Sequence, residues 1–242
     1  MATILSYPSK SGSEQVYGIE TMDPDGVVYG LPSKIQYKVY TLDGQKLFDD
    51  YCRTHGSWMN LFNDLRGLKY LDLHGWNTAN CTSLYNAFYG CESLETINLS
   101  GWSGGNSLTT MYNCWYGCGK LKSLDLAGWN VSRVSSLASC FSSCFSLEKL
   151  DLDGWNTANC TAFTDMLTGV GSQATGTKIW VPSTFVATRA SSATAKPFYS
   201  APGSANVHIY TDAADATTPG WGTINASYTM HYNATYQDFL NA

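Results

Sequence analysis

The chain has 242 residues, with 14 Lys and Arg against 19 Asp and Glu, a net charge of −5 and 14% charged residues, where about 25% is usual. That length buries a core without disulfides or metal ions, and the lack of a basic patch argues against nucleic acid as a partner. Neutral polar residues and 16 Tyr take the place of the missing charge, so hydroxyls, amides and rings are expected to dominate the surface.

The opening stretch MATILSYPSKSGSEQ has neither the basic nor the apolar part of an export signal. No apolar run approaches the roughly 20 residues needed to cross a bilayer, so no membrane insertion is expected. Residues 1–56 read as a β-rich N-terminal cap. Asp23-Pro24-Asp25-Gly26 is a turn, and Ile35, Tyr37 and Val39 alternate with Gln36, Lys38 and Tyr40 as in a strand.

Residues 57–171 are organised by a repeat. LKYLDLHGWNTANCT, LETINLSGWSGGNSLT, LKSLDLAGWNVSRVS and LEKLDLDGWNTANCT are one unit written four times, with Trp76, Trp102, Trp129 and Trp155 spaced by 26, 27 and 26 residues. The longer interval holds Gly104-Gly105, where a loop can grow. Each unit starts with L-x-x-L-x-L, the strand of a leucine-rich repeat, with the leucines inward. A second rhythm follows: Leu84, Ala87, Phe88, Cys91, then Met111, Cys114, Trp115, Cys118, then Leu137, Cys140, Phe141, Cys144, then Phe163, Met166, Leu167, Val170. Spacing of i, i+3, i+4, i+7 predicts one face of a short helix, with Thr82 and Thr161 as its N-caps. Trp58, Leu61, Phe62 and Leu65 repeat this rhythm upstream as a half unit. Such coils cannot bury their apolar faces alone, so both flanks are expected to act as covers.

LDLxGWNTxNxT followed by a segment ending FxGC resembles the BspA-like family of leucine-rich repeats of bacterial surface proteins. The likeness covers Trp58 to Val170, with Gly75-Trp76-Asn77 and Cys91, and Gly128-Trp129-Asn130 and Cys144, as its recurring marks. It implies right-handed strand-turn-helix coils, attachment to host proteins, cells or glycans, and no catalytic residues or cofactor. The expected fold is therefore α/β, a short leucine-rich solenoid with a β-rich N-terminal cap and a C-terminal β/α closing segment at 172–242.

In that last segment TKIWVPSTFVATRA resembles the strand and short helix that close repeats of this family, and NVHIYTDA reads as another strand. The Gly, Pro, Ala and Thr of DAADATTPGWG suggest a boundary, so a separate small module after 219 stays open. Ile224, Ala226, Tyr228, Met230 and Tyr232 alternate as a half-buried strand, and Tyr236 to Leu240 read as a short helix docking either on the body or on a partner.

Eight cysteines raise metal or redox chemistry, yet all but Cys52 fall on apolar positions of the repeat. Val170 stands where other units have Cys91, Cys118 and Cys144, and Val134 where others have Cys81 and Cys160, so small buried hydrophobes are the expected role. Cys114 with Cys118 and Cys140 with Cys144 are four apart, where a disulfide is strained and no common zinc spacing is met. Gly101-Trp102-Ser103-Gly104-Gly105 spells the G-x-S-x-G of a serine nucleophile. In register it is the Gly-Trp turn, with Ser103 in the place of Asn77, Asn130 and Asn156, so no enzyme is expected. N-x-S/T triplets at Asn80, Asn130, Asn159, Asn225 and Asn233 fit turn chemistry better than glycosylation.

Two surfaces remain as candidate contact sites. Outward strand positions make columns of Tyr70, Asp72, His74, Asn98, Asp125, Lys149, Asp151 and Asp153, where each acid either serves its own turn or, with neighbours about 4.8 Å apart, joins a ligand site. On the other side Tyr85, Tyr89, Tyr112 and Tyr116 face away from the apolar stripe. The expected function is non-enzymatic adhesion or recognition, binding a protein or glycan outside a bacterial cell, with a structural, decoration or receptor-binding protein of a bacteriophage virion as the alternative.

Overall fold

The computed structural model describes residues 56–242 except 74–77, 205 and 218, together with the backbone of four short strands before them. Those strands are β1 (Leu5–Pro8), β2 (Gln15–Gly18), β3 (Tyr29–Leu31) and β4 (Ile35–Tyr37), paired antiparallel as β1 with β2 and β3 with β4. The alternation at Ile35 and Tyr37 is thus strand. The turn at Asp23-Pro24-Asp25-Gly26, and Cys52, His55, His74 and Trp76, lie outside the described residues.

From Ser57 onward the chain winds into a parallel β-solenoid. Ser57, Ser83, Thr110, Ser136 and Ala162 form one line of parallel bridges, a residue from each of five stacked coils. A second line is sheet. β5 (Tyr70–Asp72) pairs with β6 (Thr96–Asn98), and β7 (Ser123–Asp125), β8 (Lys149–Asp151), β9 (Thr177–Trp180), β10 (Val207–Tyr210) and β11 (Tyr228–His231) form a parallel sheet in chain order. The stretch after 219 therefore supplies the last strand of this same sheet. The sheet is interrupted between β6 and β7, at the coil whose turn carries the additional residue. Gly105 in that turn has φ +64°, and a Cβ on it would lie 2.4 Å from the Thr78 carbonyl oxygen.

The predicted helices of the coils do not form, and this corrects the α/β expectation. Leu84, Ala87, Phe88 and Cys91 are buried as the rhythm requires, but linked turns bury them. Leu84, Asn86, Phe88 and Gly90 donate their amides to Thr110, Tyr112, Cys114 and Tyr116 of the next coil at 2.8–3.0 Å. Ala87, Tyr89 and Cys91 donate back to Leu84, Asn86 and Phe88 at 3.1–3.3 Å. Half the amides bond along the solenoid axis and half close local turns, whereas an α-helix commits every one to its own i−4 carbonyl. The zigzag needs a left-handed residue at every fourth position: Asn86 and Gly90, Asn113 and Gly117, Ser139 and Ser143, Asp165 and Gly169 all have φ between +52° and +78°. A right-handed helix cannot pass through that region.

Thr82 and Thr161 consequently cap no helix, and their hydroxyls donate to the Gly56 and Ser135 carbonyls of the preceding coil at 2.6 and 3.2 Å. The segment after β9 likewise runs as turns rather than a helix. Among the described residues, helix is confined to α1 (Tyr236–Asn241) and a 3-10 turn at Ala193–Ala195.

Repetition makes the core. The same residue returns one coil later at the same place, so Phe62, Phe88, Trp115 and Phe141 stack with centroids 5.2–5.6 Å apart and ring planes within 12° of parallel. Each such contact contributes about 0.5–1.5 kcal/mol beyond its buried area. Trp102, Trp129 and Trp155 form the second buried line, and the indoles of Trp102 and Trp155 donate to the Leu73 and Leu126 carbonyls at 2.8 and 2.9 Å.

At the entrance to the strands another column is charged. Glu95, Lys122 and Glu148 each donate a backbone amide to the preceding member, from Lys69 onward, at 2.7–3.4 Å. The charges alternate in sign along the axis.

Ser139, at φ +52°, distinguishes the turn ladder from a helix in solution. We expect Ser139→Gly to be more stable than Ser139→Ala by about 1 kcal/mol in chemical denaturation, because only the alanine meets the left-handed penalty. A helix at this place would reverse the order by a similar amount.

Candidate functional site

On the outer strand face the central column first serves its own coils. Asn98, Asp125 and Asp151 accept the amides of Ser100, Ala127 and Asp153 through Oδ1 at 3.1, 3.1 and 3.0 Å, closing the turn after the strand. Tyr70 is 47% exposed and its hydroxyl lies 3.5 Å from Glu95 Oε2. Asp72 stands opposite Asn98 in the strand register. The columns then continue beyond the residues expected from sequence. One row runs Ser123, Lys149, Lys178, His208 and Thr229, and the next runs Asp125, Asp151, Trp180, Tyr210 and His231. The signal was present, because Lys178-Ile179-Trp180-Val181 follows the pattern of Lys149-Leu150-Asp151-Leu152 with aromatic residues entering the acidic column.

The structure divides this face in two. Asn98 and Asp125 are exposed, while Asp151 retains 4% exposure because α1 lies over it. The Tyr236 hydroxyl donates to Asp151 Oδ2 at 2.5 Å. The Phe239 ring is 6.1 Å from both Trp180 and Tyr210, and the Lys149 ammonium sits 4.7 Å from its centroid. Asp153 accepts the Trp180 indole N–H at 2.9 Å, which fixes the ring. Burial lifts the Asp151 carboxyl above its ordinary value of 3.8, against the opposing hydrogen bonds of Tyr236 and the Asp153 amide. Beyond α1, His208 Nδ1 and His231 Nε2 are 2.9 Å apart, and burial together with His208 lowers the pKa of His231.

On the opposite side the expected tyrosines are brought together. Tyr85 stacks on Tyr112 with centroids at 5.1 Å and planes at 17°, and Tyr89 on Tyr116 at 5.0 Å and 7°. All four are half-buried. Their separation is nearly the coil spacing, so the rings lie across the solenoid axis with faces toward each other and edges toward solvent. Met59, 53% exposed, occupies the position one coil before Tyr85.

Seven cysteines, at 81, 91, 114, 118, 140, 144 and 160, are buried free thiols. Cys91, Cys118 and Cys144 each place Sγ 3.1–3.2 Å from the carbonyl of an aromatic residue of the preceding coil, Phe62, Phe88 and Trp115. Burial pushes the thiols of Cys81, Cys91 and Cys144 up to about 12 and that of Cys160 to about 11. Ser103 is exposed on a packed turn, where a Cβ on Gly104 would meet the Asn130 carbonyl at 3.0 Å, so the glycines of G-x-S-x-G serve the turn. Asn130 and Asn225, from the N-x-S/T triplets, accept the amides of Ser132 and Ser227 at 3.2 and 3.0 Å.

Residues 57–190, more than half of the chain, match the family described as "Mycoplasma protein of unknown function, DUF285". The chain belongs to the DUF285 family. The match spans the five coils and stops short of β10, β11 and α1, so the cover on the strand face lies outside the shared DUF285 segment. No curated protein and no solved structure matches the chain.

Two measurements check these environments. Because Asp151 binds its proton more tightly in the folded state, its ionisation lowers stability as pH rises from 3.8 through the raised pKa. Asp151→Asn, which keeps Oδ1 for the Asp153 amide and turns an N–H toward the Tyr236 hydroxyl, which then accepts, is expected to gain thermal stability relative to the parent above that window and to lose the gain below it. The seven buried thiols should resist an aromatic disulfide reagent in native buffer and react once denaturant is added; prompt native reaction at these positions would refute the packing role.

Proposed function

We propose that the chain is a non-enzymatic recognition module, displayed outside a bacterial cell, that holds a protein partner against the tyrosine face of its solenoid. The kinship with BspA-like leucine-rich repeats suggested by L-x-x-L-x-L and the Gly-Trp-Asn turn belongs to this reading. Its main support is the pair of stacked tyrosine columns, which form an aromatic patch outside the core on a backbone tied coil to coil by amide hydrogen bonds. Tyrosine brings large contact area at small entropic loss, because two side-chain angles fix it, and stacking restricts those angles further. Protein is favoured over glycan by orientation: sugars use ring faces, and in each pair the rings cover one another, leaving edges and hydroxyls for a partner.

The test is binding of the purified chain to whole bacterial cells. Tyr89→Ser with Tyr116→Ser should weaken binding about tenfold or more, as expected for central aromatic contacts, while the chain still unfolds cooperatively at a temperature lowered by only several degrees or so, as loss of one stacked pair implies. Undiminished binding would remove this face from the reading.

A structural or receptor-binding role in a bacteriophage virion is the second reading, and the thiols favour it. Buried cysteines recurring at 26 to 27 residue spacing invite mispairing in an oxidising compartment, so folding in a reducing cytoplasm before particle assembly suits this sequence. Mass spectrometry of cell envelopes and of purified particles separates the two. The chain in particles alone would sink the cellular adhesin, and in envelopes alone the virion protein.

A further inference from the structure

We infer that α1 is an intramolecular occupant of a peptide slot on the outer strand face, and that the slot takes an amphipathic aromatic segment of another protein in its place. The site is independent of the tyrosine face and lies on the other side of the coils. Its residues do not belong to the solenoid core. Lys149, Asp151, Trp180 and Tyr210 occupy outward rows, which one coil earlier carry the exposed Ser123 and Asp125. A carboxylate at 4% exposure on the outside of a sheet is explained only by what lies over it.

What lies over it is held at a few points. α1 has six residues, too short to persist as an isolated helix. It is kept in shape by a capping box, with Thr235 Oγ1 accepting the Asp238 amide at 3.1 Å and Asp238 Oδ2 accepting the Thr235 amide at 2.7 Å. Phe239 is its one buried residue, while Leu240 is 45% exposed and Gln237 and Asp238 face solvent. Tyr236 and Phe239, at i and i+3, share one helical face and meet the slot's two halves. The hydroxyl reaches Asp151, and the phenyl ring enters the space bounded by Trp180, Tyr210 and the Lys149 ammonium.

The balance of this contact is fine. Docking α1 buries Phe239 but also takes the Asp151 carboxylate out of water, which its raised pKa records. A segment offering the same hydroxyl and ring, with further contacts of its own, displaces α1 without rearranging the coils. The cis occupant is a peptide, so peptide is the ligand class that the contacts favour.

The test uses the full chain and a fluorescein-labelled peptide, Ala-Thr-Tyr-Gln-Asp-Phe-Leu-Asn-Ala, corresponding to residues 234–242. Phe239→Ala releases α1 and should bind the peptide at least tenfold more tightly than the parent. Tyr236→Phe, which loses only the hydroxyl, should give a smaller gain of a few fold and serves if the alanine variant fails to fold. Adding Asp151→Ala should remove the gain in either background. Equal affinity of parent and both variants, or a gain that persists without Asp151, would overturn the slot; binding of a hexasaccharide to the released chain with none of the peptide would overturn its ligand class.

Discussion

The structure depends on one hydrogen-bond arrangement, in which alternate backbone amides leave the coil. Leu84, Asn86, Phe88 and Gly90 bond to the coil after them, and the same positions do so in the first, third and fourth coils. Every axial bond fixes the distance between successive copies of a side chain. The phenylalanine and tryptophan stacks, the hydroxyl line through Thr82 and Thr161, and the two tyrosine columns are then consequences of position. No separate interaction is needed to assemble them, which is how coils of so few residues support surfaces this ordered.

The parts of the fold legible in the sequence are those that follow from period and polarity. The Gly-Trp turns at Trp102, Trp129 and Trp155, the inward leucines, the half repeat beginning at Trp58 and the burial of the seven described cysteines could be read from spacing alone. The helix could not be told from the turn ladder on the same grounds, because Leu84, Ala87, Phe88 and Cys91 are buried in either. The deciding marks are the residues between them. Asn86 and Gly90, Asn113 and Gly117, and Asp165 and Gly169 recur four apart, and each tolerates a left-handed backbone that a helix forbids. Ser139 and Ser143 hide the mark in one coil, since serine has no such reputation.

The strand face shows where local reading stops. Asn98, Asp125 and Asp151 could be assigned to one column from register, and each does close its own turn. Nothing near Asp151 in sequence announces Tyr236, which lies 85 residues later. The two contact surfaces thus differ in kind. The tyrosine face is made by neighbouring repeats and is written in their pattern, whereas the covered slot joins a repeat to a distant helix and belongs to this chain beyond its family segment.

The column Lys69, Glu95, Lys122, Glu148 bears on how such a chain can grow. With opposite signs at each step, a single coil inserted or lost brings two like charges side by side, at a penalty of some tenths of a kcal/mol or more. Two coils at a time leave the alternation intact. The column therefore acts as a parity rule on the length of the array, favouring duplication of coils in pairs, and during folding it marks a coil that has stacked on the wrong neighbour.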